Sequence, residues 1–162
     1  MTVRLIHGDL DSGKTRRGAA WAEAEALAGH SVAGVLALKT PSGRRFMDLA
    51  SGDEVALEHP RQDEAVVRVG RFQFRQAAFD WAVQRIERAL EHGAGAVVID
   101  EVGPLEMGGD GFADLLDRMA RDYPAVERIL LVRTSLVDEV AARFGGTTCL
   151  FDPPRNLPAS GT

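Results

Sequence analysis

One octapeptide, Gly8-Asp9-Leu10-Asp11-Ser12-Gly13-Lys14-Thr15, constrains this chain more than any other feature. It stands between a β-branched apolar run at 2–7 and an Ala-, Glu- and Arg-rich stretch at 14–28. The spacing is G-x-x-x-x-G-K-[ST], in the strand–loop–helix context that its chemistry requires. Its glycines let the backbone curl so that successive N–H groups point inward, and the helix behind it adds the partial positive charge of its N-terminus. Such a loop cradles phosphate oxygens. Lys14 is expected to reach the outer phosphates of a nucleotide, and the Thr15 hydroxyl to hold Mg²⁺; Arg16 completes the expected phosphate-binding segment. Asp9 and Asp11 place two carboxylates inside a loop suited to a polyanion, where like charges repel. Arg16 and Arg17 follow at once and offset them, and Asp11→Gly is expected to tighten nucleotide binding.

The rest of the chain alternates short apolar runs with helical periodicity. Strands are expected at 32–39, 45–50, 54–58, 66–74, 96–99, 128–132 and 147–151, and helices at 76–91, 112–120 and 136–144. The wholly apolar runs at 96–99 and 128–132 read as strands buried on both faces. The turn signals of the middle third predict antiparallel hairpins. Strand–helix alternation around apolar strands predicts an α/β sandwich of three layers, its central sheet mainly parallel. Residues 1–152 are expected to form one domain and 153–162 a loose tail rich in Pro, Ser and Gly.

The 162 residues carry 19 basic and 24 acidic side chains, a net charge of −5. That balance disfavours nucleic acid or an anionic membrane as the main partner, since both call for a basic surface. No apolar run approaches a membrane span. The lone Cys149 cannot close an internal disulfide, and the four histidines show no ligand spacing for zinc. A soluble, cytoplasmic protein is the expectation.

A second element bears on phosphate chemistry. Val97-Val98-Ile99-Asp100-Glu101 is an apolar strand ending in two carboxylates, the form of a Walker B element. Asp100 is expected to complete the hard-oxygen environment of Mg²⁺ together with Thr15. Glu101 is then placed to orient or deprotonate the attacking water. Gly103-Pro104-Leu105-Glu106 reads as a tight turn, with Glu106 more often a surface glutamate than a group near the metal. Arg71, in a basic cluster with Arg68 and Arg75, is a candidate arginine finger, and a solvated strand-edge residue otherwise. Arg133-Thr134-Ser135 falls where a polar γ-phosphate sensor would stand, or where Thr134 or Ser135 caps a helix. Phe72, Phe74, Phe79 and Trp81 either frame a base or pack in the core, the latter being the default.

Four segments together make the chain resemble the P-loop nucleoside-triphosphatases of the Thep type, in the RecA-like, additional-strand branch. They are 8–15, 32–57 with its Gly34, Gly43 and Gly52, Val69-Gly70-Arg71-Phe72, and Ile99-Asp100-Glu101-Val102-Gly103-Pro104-Leu105-Glu106. The last is close to the family's D-E-[IV]-G-P-[ML]-E signature, and the likeness spans roughly 2–151. The resemblance implies a P-loop three-layer sandwich and slow Mg²⁺-dependent hydrolysis of ATP, GTP and other nucleoside triphosphates with broad base tolerance. The chain departs from the family at Asp11, where a glycine is usual, and at Arg16, where a second threonine is usual. Two alternatives stay open on the residues alone. One is a small-molecule or nucleotide kinase with 66–75 as a lid. The other is a nucleotide-binding switch or adaptor with negligible turnover, acting through a protein partner.

Overall fold

The computed structural model describes residues 3–9 and 12–148. Among them the chain runs β1 (Val3–Gly8), α1 (Lys14–Leu27), β2 (Val32–Thr40), β3 (Gly43–Asp48), β4 (Glu54–Ala56), β5 (Val66–Val69), β6 (Phe72–Arg75) and α2 (Gln76–Glu91). It continues through β7 (Ala96–Val102), α3 (Pro104–Met107), α4 (Ala113–Asp122), β8 (Glu127–Arg133), a 3-10 turn (Thr134–Leu136), α5 (Val137–Phe144) and β9 (Thr147–Thr148). The main sheet has the order β4-β3-β2-β7-β8-β1-β9. Strands β2, β7, β8, β1 and β9 are parallel, and β3 and β4 extend the β2 edge antiparallel.

Period-2 alternation in the apolar strands divides the core in two. Ile6, Leu36, Val98, Ile129 and Leu131 face α1, whose Trp21 and Ala22 cover them. Their neighbours Leu5, Val35, Val97, Ile99, Leu130 and Val132 face the opposite side, covered by α2, α4 and α5 through Ala78, Phe79, Leu115, Met119 and Val140. Edge-to-face packing of Phe46 on Phe79, ring centroids 5.2 Å apart, anchors that layer. The expected three-layer α/β sandwich is therefore the observed one.

Three segments differ from the sequence reading. The single strand expected at 66–74 is two strands, β5 and β6, paired antiparallel with Val69 opposite Phe72. Gly70, at φ 56°, supplies the positive φ that a two-residue hairpin loop requires, which leaves Arg71 at the tip. The tight turn expected at 103–106 is the start of helix α3, with Pro104 at its first position, where a missing N–H costs nothing. The strand expected to end at Ile99 continues to Val102 through an irregularity that reshapes the site. The expected tail and Cys149 lie outside the described residues.

Candidate functional site

The phosphate loop closes as its composition requires. The Ser12 N–H donates to the Asp9 carbonyl at 3.1 Å, and the Arg17 N–H donates to the Gly13 carbonyl at 2.9 Å to open α1. A Cβ on Gly8 would lie 2.1 Å from Ser12 Oγ, and Gly13 sits at φ 83°, so both ends of the loop demand glycine. Lys14 is buried, whereas Ser12, Gly13 and Arg16 are exposed toward the cleft. Arg17 Nη2 donates to the His7 carbonyl at 2.8 Å, which ties α1 to β1. Asp9 is exposed; Leu10 and Asp11 lie outside the described residues.

Regular alternation would send Asp100 and Glu101 to opposite faces of the sheet. Instead β7 carries a register shift against β8 between Ile99 and Val102, and Glu101 adopts φ 58°. A bulge of this kind re-aims a side chain, at a cost of about 1–3 kcal/mol for a left-handed non-glycine residue. Both carboxylates consequently meet the start of α1. Thr15 Oγ1 donates to Asp100 Oδ2 at 2.7 Å, and Lys14 Nζ lies 3.9 Å from Glu101 Oε1. Asp100 also accepts from the Ala37 N–H at 3.0 Å and from the Glu101 N–H at 2.8 Å. It is wholly buried and forms no ion pair among the described residues; burial pushes its carboxyl up to about 6, while the Thr15 and Ala37 hydrogen bonds pull it down. A buried carboxylate paired with a hydroxyl, lacking a contacting cation, is a donor set that fits a hard divalent ion such as Mg²⁺. No group of three or more His, Cys, Asp or Glu among the described residues forms a metal cage of its own.

Glu106 is not a surface residue. It is 2% exposed, accepting from the Gly103 N–H at 2.8 Å through Oε1 and from the Phe112 N–H at 3.0 Å through Oε2. Burial pushes it up to about 7 against those hydrogen bonds. A Cβ on Gly111 would stand 1.9 Å from Glu106 Oε2, so the glycine makes room for the carboxylate. Glu106 thus ties α3 to the start of α4 and holds the segment behind Glu101. The amphipathic signal for this was faint: an acid three residues after Gly103, at the start of a proline-initiated turn.

A cleft of 860 Å³ opens from the loop across the C-terminal ends of β7 and β2 and the adjoining N-terminal end of β3 to the β5–β6 hairpin. Ligands of open α/β sheets bind at that edge. Lys14, Thr15, Arg16, Glu101, Arg71 and Arg133 all line it. Thr134 and Ser135 make no side-chain cap; Thr134 Oγ1 instead lies 3.2 Å from His7 Nδ1. The aromatic set divides. Phe79 packs in the core against Phe46 and Phe112 and Phe74 is buried too, yet both line the cleft together with the exposed Phe72, whereas Trp81 is half-buried under Arg85.

A parallel sheet in which one strand, β8, separates the phosphate-loop strand from the acidic strand, with the loop at its C-terminal edge, defines an additional-strand P-loop NTPase fold. The family profile described as NTPase matches residues 5–148, and the chain belongs to that family. A nucleoside-triphosphatase THEP1 of Methanopyrus kandleri is 32% identical over 104 residues. The aligned stretch covers 60% of this chain and 56% of that protein, so the match spans little more than half of the relative's length. The solution structure of a human cancer-related nucleoside triphosphatase shares the fold, with a TM-score of 0.66 at 19% identity over 96% of this chain and 89% of the other. The resemblance to Thep-type P-loop NTPases is borne out.

Proposed function

We propose that the chain binds a nucleoside triphosphate as its Mg²⁺ complex and hydrolyses the β–γ phosphoanhydride. The observation that carries this reading is the 2.7 Å hydrogen bond between Thr15 and the buried Asp100, with the Lys14–Glu101 pair beside it. The loop amides and Lys14 bind and orient the phosphates. Thr15 and Asp100 would hold Mg²⁺, which when bound neutralises charge on the phosphate oxygens. Glu101 aligns a water and accepts its proton. Arg71, at the hairpin tip, approaches the terminal phosphate from the facing wall. The chain carries no Asn-Lys-x-Asp guanine signature, which supports broad base tolerance. No helix among the described residues is long and apolar enough to cross a membrane; that, with the single cysteine, supports a cytoplasmic location.

The test is phosphate release from ATP, GTP and CTP, with and without Mg²⁺, in the wild type, Lys14→Ala and Glu101→Gln. Release that needs Mg²⁺ and is lost in both variants is the expected result. Nucleotide binding without release in the wild type would move the reading to a switch, or to a kinase lacking its acceptor.

A further inference from the structure

The cleft is built for more than a triphosphate. Among the described residues its lining holds the cationic side chains Lys14, Arg16, Lys39, Arg44, Arg71 and Arg133 beside the acid Glu101, in a chain whose net charge is −5. Two of the six, Lys14 and Arg16, belong to the phosphate-loop segment. Others stand on the far wall, where β3 and the β5–β6 hairpin meet. Arg44 lies across two parallel rings there, 5.0 Å from the Phe72 centroid and 5.8 Å from that of Phe74. Those rings are 5.9 Å apart with planes 5° from parallel. Arg71 approaches Phe72 at 5.3 Å. Phe72 is 37% exposed, so core packing does not account for it. Arg44 meets one acid, Glu58, at 3.5 Å, which leaves part of its five-donor fork for an anion. Such a wall, π surface beside guanidinium, suits a planar ring carrying a negative group.

Position matters as much as chemistry. Rested on the proposed function, the terminal phosphate lies between Lys14 and Glu101. From Glu101 at the end of β7 the cleft runs outward over β2 and β3, away from β1 and β9. The aromatic wall therefore stands on the side from which the attacking group approaches, and the nucleoside trails back along the loop.

We infer that the outer half of the cleft binds a second small molecule, a planar aromatic anion of the nucleoside monophosphate class, together with the triphosphate. The 860 Å³ volume sits near the upper end of the range for small-molecule sites, about 300–1,000 Å³. Phe72 and Arg44 set its affinity and take no part in holding the triphosphate.

The test is calorimetric titration of AMP, GMP and CMP into protein saturated with Mg²⁺ and a non-hydrolysable β,γ-imido triphosphate. The expected result is binding of one monophosphate with the analogue still in place, weakened roughly tenfold or more by Phe72→Ala and by Arg44→Gln. The same variants should keep the analogue's Kd and basal phosphate release within about twofold of wild type, and Phe72→Trp should retain monophosphate binding. If the analogue binds but no monophosphate does, or the monophosphate displaces it, this inference falls alone. Variants that weaken the analogue itself would make the wall part of the triphosphate's own base site and overturn it as well. Failure of the wild type to bind the analogue overturns the proposed function first, and this inference with it.

Discussion

The end of β7 and the short helix α3 each bury a carboxylate, and the two acids, Asp100 and Glu106, lie six residues apart. Asp100 and Glu106 are both shut away from solvent, and burial raises both, to about 6 and about 7. Their partners separate them. Asp100 faces a hydroxyl on the helix that follows the phosphate loop, 2.7 Å away, next to the Lys14–Glu101 pair. Glu106 faces two backbone N–H groups and a glycine that clears space for it. The first carboxylate has a side-chain hydroxyl partner beside a lysine and a second acid; among the described residues the second is bonded to backbone alone. Burial and a displaced acidity therefore do not by themselves mark a reacting group, and the nature of the partner decides.

The comparison can be broken most decisively at Asp100. Asp100→Asn keeps an acceptor but removes the charge, and should lower Mg²⁺-dependent phosphate release roughly a thousandfold. Its melting temperature should stay level or rise, because an uncompensated buried charge is gone. A melting temperature that collapses with the activity would make Asp100 as structural as Glu106.

Glu106 should govern pH-dependent stability. Burial pushes its folded carboxyl up to about 7 from an ordinary 4.5, so between those values the folded chain should hold a proton that the unfolded chain releases. Stability from this group is full below about pH 4.5 and is lost as pH rises through 7, by about 3 kcal/mol in all. Urea titrations from pH 4.5 to 7.5 should show that decline in the wild type and a flatter profile in Glu106→Gln. Equal slopes in the two proteins would refute it.

Gly111→Ala sharpens the same point sterically. Its Cβ would fall 1.9 Å from Glu106 Oε2 on a backbone at φ 59°. The expected cost is about 2 kcal/mol of unfolding free energy, with nucleotide affinity little changed. The smallest effect is expected at Arg71, which sits exposed at a hairpin tip. Arg71→Ala should reduce kcat about tenfold and leave KM nearly constant. An unchanged kcat would make Arg71 a solvated loop residue.

Much of this was legible before any coordinates. The loop at 8–15 carried its meaning in spacing and context, and the structure places Lys14 and Thr15 against the two acids that end the buried strand. The apolar strands announced their burial through composition, and Gln76–Glu91 through helical periodicity. The hairpin at 66–75 was less plain, since Val66, Val67, Phe72 and Phe74 read as one strand until Gly70 is given its positive φ. Glu106 was misread because burial of a charged residue depends on N–H groups at Gly103 and Phe112, which sequence order does not bring together.

The sequence alone determined the α/β class, the phosphate loop and the acidic strand, because these rest on local periodicity and on glycine's conformational range. Tertiary structure alone decided that Asp100 and Glu101 point the same way, that Arg44 lies across Phe72 and Phe74, and that a basic cleft exists within an acidic chain. Each of those depends on contacts between segments distant in sequence, and on a backbone bulge that no residue preference announces.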